Sequence, residues 1–185
     1  MKKIVWTFGL ISGGILAVLI ATMPLYLNGT MNFDHAEIVG YTIMVLAFVL
    51  VFFGIRSYRE NVSGGAITFG KAFQVGILVT LIACTVYVVT WEIVYFNFLP
   101  DFADKYTALT LEKMRTRGAT EAAIARTTQE MEKFKVWYKN PLLNAGMTYL
   151  EALPVGLIVT LVSAAILRRK TPRAAPAAPG AAAAG

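Results

Sequence analysis

Four long apolar runs, at residues 4–27, 38–55, 72–99 and 142–167, constrain this chain more than any other feature. At about 1.5 Å of rise per residue, a helix of about 20 residues crosses the roughly 30 Å hydrocarbon layer of a bilayer. The first run is broken only by Thr7, Ser12 and Thr22, the third encloses Glu92, and the fourth encloses Glu151 and Pro154. Lys2 and Lys3 ahead of the first run also suit a signal peptide, but the run is too long for one and lacks a small-residue exit, so it is read as a retained helix. The expected fold is all-α: a polytopic membrane protein whose four transmembrane helices form a bundle, a single membrane domain over residues 1–170.

Composition supports this reading and removes the alternatives. Hydrophobic residues make up 57% and charged residues 15%, against about 45–50% and 25% in soluble domains. Disorder requires the opposite bias. The 17 Lys and Arg against 11 Asp and Glu give a formal charge of +6, which is read as membrane orientation and not as a nucleic-acid surface. The one cysteine, Cys84, lies in an apolar run, so no intramolecular disulfide, CxxC pair or cysteine-based zinc site can form.

Lys2, Lys3, Arg56, Arg59, Lys71, Arg168, Arg169, Lys170 and Arg173 all fall on one side of the four spans. The short loop at 28–37 carries Asp34 and Glu37 with no Lys or Arg, so the positive-inside rule places both termini in the cytoplasm. The connection at 56–71 is read as a turn at headgroup level. Its anchors Arg56, Arg59 and Lys71, with Arg168 and Arg169 after the fourth span, suit anionic lipid. Gly64 and Gly65 lack the GK[ST] and preceding strand of a nucleotide loop.

Residues 101–140 form the one sizeable polar segment. Ile124, Thr127, Met131, Phe134 and Tyr138 recur every three or four positions, the pattern of an amphipathic helix. Gly118 interrupts and Thr120 suits a cap, so the spacing predicts helices over 101–117 and 120–138, ended by Asn140 and Pro141. This extracytoplasmic hairpin either caps the bundle with its apolar stripe or binds a partner. Residues 171–185, almost all Ala, Pro and Gly, bury too little side chain to order and read as a disordered cytoplasmic tail.

Glu92 and Glu151 are the ionisable side chains well inside the spans, where a carboxylate costs on the order of 2.5 kcal/mol or more. Counted from Leu99 and Leu142 they lie at similar depth, about 10 and 14 Å. No Lys or Arg in the membrane core neutralises them, so the reading is an intramembrane polar site of Glu92, Glu151, Tyr95, Tyr149 and Asn144, with Asn97 nearby. It would hold a proton or a bound cation, or serve as hydrogen-bonded glue between helices. Pro154 is expected to kink the fourth helix and free backbone carbonyls. His35 beside Asp34 and Glu37 lacks diagnostic ligand spacing, and no metal or other cofactor is expected. Gly9 and Gly13 give a G-x-x-x-G spacing that lets a helix approach closely, either within the chain or in a homodimer. Trp91, Tyr95, Phe96 and Phe98 read as an aromatic belt at the outer interface.

Gly40-Tyr41, Arg56-x-Tyr58-Arg59, Gly65 with Phe69-Gly70, Trp91-Glu92, Pro100-Asp101-Phe102, Asn140-Pro141 and Glu151-x-x-Pro154-Val155-Gly156 together carry a family resemblance. In that order they resemble the bacterial domain-of-unknown-function family four-one-nine-nine, up to Lys170. The resemblance implies a four-span inner-membrane protein, places Glu92 and Glu151 in the family pattern, and brings no activity with it. No Ser-His-Asp, Cys-His or HExxH arrangement is present, so the chain is not expected to be an enzyme. Two function classes follow: a small transport or ion- or proton-coupled component using the carboxylates, and an interaction or adaptor subunit docking a partner membrane protein through the hairpin.

Overall fold

The computed structural model describes residues 1–27 and 33–170, and the side chains of residues 1–25 and 38–170. Six helices follow in order: α1 (Lys2–Leu27), α2 (Phe33–Asn61), α3 (Phe69–Phe98), α4 (Phe102–Thr116), α5 (Glu121–Tyr138) and α6 (Pro141–Leu167). Four of them, α1, α2, α3 and α6, are long and apolar enough to cross a membrane, with mean hydropathies of 2.2 to 2.6. The described residues are therefore all-helical, with four helices able to span a membrane. The tail at 171–185 and the sequence between α1 and α2 lie outside the described residues, as do the side chains of Asp34, His35 and Glu37.

The helices overrun the apolar runs that predicted them, because helical hydrogen bonding does not stop where hydrocarbon does. α2 continues through Asn61, where the sequence suggested a turn from Arg56 onward. Arg56 and Glu60 pair at 3.1 Å four residues apart and support that extra length. The remaining turn is closed by the amide of Gly65 donating to the carbonyl of Arg59 at 2.8 Å, with Gly65 at a φ of 85°.

α2 and α3 form an inner pair, and α1 and α6 each pack on both. Small residues set the spacing. A Cβ added to Gly9 would stand 2.8 Å from Ile82, and one on Gly13 2.7 Å from Val86, so both glycines are packed against α3. The G-x-x-x-G face is thus occupied within the chain. Gly76 makes a similar close approach, with Thr160 at 2.8 Å and Ile55 at 2.9 Å from an added Cβ. Hydroxyl groups cross the same seams: Ser12 donates to the carbonyl of Ala47 at 2.7 Å, and Thr80 and Thr160 share a hydrogen bond of 2.9 Å. Such interhelical bonds contribute about 0.6 kcal/mol each in a bilayer.

The opposite faces carry exposed Trp6, Leu10, Val18, Leu46, Phe53, Ile93, Ile158 and Ile166. They are surfaces for lipid tails. An open groove of about 570 Å³ along α2, lined by Ile38, Tyr41, Thr42, Val45 and Leu46, belongs to this side.

Between α3 and α6 the chain makes the helical hairpin expected from its periodicity. Gly118 has a φ of 71°, the amide of Ala119 reaches back to the carbonyl of Met114 at 3.0 Å, and that of Gly118 to Arg115 at 3.0 Å, closing α4 with a Schellman turn. Thr120 caps α5 by accepting from the amide of Ala123 at 3.3 Å. Asn140 caps α6 by accepting from Leu142 and Leu143, with Pro141 in the first turn, where its missing N–H costs nothing. Ile124, Thr127, Met131, Phe134 and Tyr138 are all half-buried, so the stripe faces inward as its spacing implies.

Candidate functional site at the hairpin end

In α3 a spacing of four puts Tyr87, Trp91 and Tyr95 on one face, and all three are buried. The indole N–H of Trp91 donates to Oδ1 of Asn144 at 2.8 Å, and Nδ2 of Asn144 donates to the carbonyl of Tyr138 at 3.2 Å. Thr148 donates to the backbone carbonyl of Asn144 at 3.0 Å. One fully buried amide therefore ties α3, α5 and α6 together. A buried side-chain amide is stable only when its donor and acceptor are both satisfied, and here both are.

Around this node runs a continuous set of ring contacts. Trp91 meets Phe102 edge-on with centroids 5.1 Å apart, Phe102 stacks on Tyr106 at 6.1 Å, and Tyr106 meets Phe134 at 5.9 Å. Phe134 packs on Tyr138 at 4.1 Å, and Tyr138 returns to Tyr95 at 5.5 Å. The ladder joins α3, α4 and α5 and corrects the expected aromatic belt. Trp91 and Tyr95 turn inward, while Phe96 and Phe98 remain exposed. The ammonium of Lys135 adds an ion pair with Asp104 at 2.9 Å across the hairpin and another with Glu132 at 3.0 Å. Asp104 first and Glu132 second hold its pKa above the ordinary lysine value.

Contacts between α3 and α6 fix the depth of the two glutamates. Trp91 bonds Asn144, Thr85 and Tyr149 share a hydrogen bond of 2.6 Å, and Thr80 meets Thr160. In that antiparallel register Glu151 stands level with the stretch from Cys84 to Tyr87. It is roughly 10 Å nearer the basic end than Glu92. Depth counted from each helix end does not carry over, because α6 begins below the last turn of α3, about level with Ile93 and Val94. Glu92, one residue after Trp91, is turned about 100° away from the Asn144 contact. Its Oε1 is buried and has no hydrogen-bond partner among the described residues. Glu151 lies within electrostatic reach of Tyr87 and Tyr138.

Tyr138 is what the two carboxylates have in common. Burial pushes its phenol above the ordinary tyrosine range, Glu151 adds to this, and Tyr95, Tyr106 and Glu92 add less. Of the other residues assigned to the polar site, Tyr95 and Asn144 belong to the hairpin junction, and Tyr149 bonds Thr85. The amide of Asn97 donates to its own helix, to the carbonyl of Ile93 at 2.8 Å. Pro154 sits inside α6, which continues to Leu167. Among the described residues no group of three His, Cys, Asp or Glu side chains is placed to hold a metal ion.

Sequence reasoning passed over Tyr87 and Tyr138 as site residues, and the pairing of Trp91 with Asn144. The available signals were the spacing of four through 87, 91 and 95, and a buried asparagine one turn after the Asn140 cap.

No curated protein and no solved structure matches this chain. The profile of the DUF4199 family, described as a protein of unknown function, matches residues 7–169, which include most of the first span, the whole of the other three and the hairpin. That match takes in the Trp91–Asn144 node, both glutamates and the glycine seams, and the chain belongs to the DUF4199 family.

Proposed function

We propose that this chain is a non-catalytic interaction subunit of a bacterial inner membrane, with both termini cytoplasmic, that presents the α4–α5 hairpin to a partner outside. The observation that carries this reading is the way the hairpin is mounted. Its base is locked to α3 and α6 through Trp91, Asn144 and Tyr138, whereas α5 contains no fully buried residue along its length. A rigid base with a solvated length suits display, because little ordering is left to be lost on binding. The orientation rests on the charge asymmetry between the loops.

Photo-crosslinking residues at Arg126, Glu130 and Lys133 in native membranes should trap one partner at fixed stoichiometry. Absence of any adduct at all three would overturn the docking reading. A membrane-impermeant thiol reagent added from outside should label a cysteine at Thr116 and not one at Ser57, and the reverse pattern would invert the topology. The buried Cys84 contributes no background.

A second reading, a small transport or proton- or cation-coupled component, is favoured by the buried Oε1 of Glu92, which has no hydrogen-bond partner among the described residues. An intramembrane carboxylate with no protein cation is the arrangement a carried proton or metal ion needs. Glu92→Gln keeps the shape and drops the charge. If an ion is held, the thermal stability of the natural protein rises with one of Na⁺, K⁺, Mg²⁺, Ca²⁺ or Zn²⁺ while that of the variant does not. Flat responses in both would remove the cation version.

A further inference from the structure

At the end opposite the hairpin, four helix termini bring basic side chains to one level. Lys2 and Lys3 open α1, Arg56 and Arg59 close α2, Lys71 lies in the first turn of α3, and Arg168 to Lys170 follow α6. The segment that follows α6 is pinned to the α2–α3 turn. The amide of Ile67 donates to the carbonyl of Arg169 at 2.9 Å, and the amide of Arg169 donates to that of Ile67 at 2.8 Å. A guanidinium nitrogen of Arg59 also donates to the carbonyl of Leu167 at 3.3 Å.

These bonds hold the backbone of Arg168 and Arg169 in place and leave their side chains outward. The acid at this end, Glu60, is already shared by Arg56 at 3.1 Å and Arg59 at 3.0 Å. Lys71 donates to Gln74 at 2.9 Å and lies over the ring of Tyr58 at 5.9 Å. Among the described residues no acidic side chain pairs with Lys2, Lys3, Arg168, Arg169 or Lys170, all of which are exposed. The described residues supply no carboxylate as their countercharge.

We infer that this end is a binding surface for anionic phospholipid headgroups, centred on Arg168, Arg169 and Lys170 where they are pinned beside the α2–α3 turn. The depth selects lipid. Each cation stands at or within a turn or so of the end of a membrane-spanning helix, which is the level of the phosphates, and basic side chains there are drawn to anionic leaflets. The pinning distinguishes this surface from a loose basic tail, since the side chains of Arg168 and Arg169 start from a fixed backbone and lose less freedom on binding. The inference does not depend on the docking role of the hairpin, because it concerns the other end of the bundle.

Native mass spectrometry of the full chain, released from nanodiscs of equal phosphatidylglycerol and phosphatidylethanolamine, tests it. The natural protein is expected to retain several-fold more phosphatidylglycerol adducts than phosphatidylethanolamine adducts. The combined variant Arg168→Gln, Arg169→Gln, Lys170→Gln should lose most of that preference, and Arg168→Lys with Arg169→Lys should keep it. A variant with the same charge loss at the hairpin end, Arg126→Gln, Lys133→Gln, Lys139→Gln, should also keep it. Low thiol reactivity of Cys84 certifies that each variant is folded. Equal retention of the two lipids by the natural protein, or an equal loss of preference in the hairpin-end variant, would overturn the inference.

Discussion

Gly156→Leu is expected to be the most damaging single substitution in the bundle, costing about 3 kcal/mol and lowering the unfolding midpoint by about 10 °C. A Cβ at this position would already press on Cγ2 of Thr80 and stand 3.0 and 3.1 Å from ring carbons of Phe48. Phe48 is fully buried and α3 is held by α1 on its other side, so neither neighbour can give way without moving a helix. A leucine adds further carbons along the same line, and the hydrogen bond between Thr80 and Thr160 would be pushed apart with them. The single cysteine supplies the readout, because Cys84 is inaccessible until the bundle opens and then reacts with a thiol-sensitive dye. Gly146→Leu is the control: an added Cβ there meets nothing within 4 Å, and its midpoint should stay within about 2 °C of the natural protein. Equal midpoints for the two variants would mean that α3 and α6 do not pack as described.

The second large effect is expected at Asn144. Replacement by leucine preserves volume but leaves the buried indole N–H of Trp91 without an acceptor and the carbonyl of Tyr138 without a donor. An orphaned buried polar group costs about 1–3 kcal/mol. The loss should fall on the base of the hairpin and not on the whole bundle. Trypsin cleavage after Lys133, Lys135 and Lys139 should speed up about tenfold while Cys84 stays protected. Pairing Asn144→Leu with Trp91→Phe removes the stranded N–H, so the double variant should be less damaged than the sum of the singles by roughly 1 kcal/mol. Strict additivity would show that the indole–amide bond does not hold the hairpin.

Much of the helix plan was legible because its signals are local. Gly118 supplies a left-handed turn, Thr120 and Asn140 supply caps, and Pro141 suits a first turn; each acts within a few residues of where it stands. The half-buried stripe from Ile124 to Tyr138 was legible for a related reason: on a helix with one solvated side, spacing shows which face turns in. Arg56 to Asn61 was not, because charge was taken to end the helix, whereas its i,i+4 pair with Glu60 prolongs it.

The candidate site divides along the same line. Glu92 and Glu151 stand out in any reading as acids inside apolar runs, yet their mutual position depends on how α3 slides against α6. That sliding is set by Thr80 against Gly156, by Trp91 against Asn144 and by Thr85 against Tyr149, pairs separated by more than fifty residues in the chain. The facing of Trp91 and Tyr95 was hidden in the same way, since an aromatic near a span end fits lipid and core equally well by composition.

By itself the sequence determined the number and type of helices, the hairpin and its turn signals, and the unequal charge of the two ends. Each of these follows from apolar length, local hydrogen bonding or charge along the chain. Only the tertiary structure decided that Gly9 and Gly13 serve α3, that the glutamates stand at different depths, and that one asparagine ties the hairpin to the bundle. The physical reason is that a spanning helix is apolar all round, facing lipid on one side and its neighbours on the other. Its periodicity therefore carries little information about direction, and the register is left to where small residues and buried hydrogen bonds meet across helices.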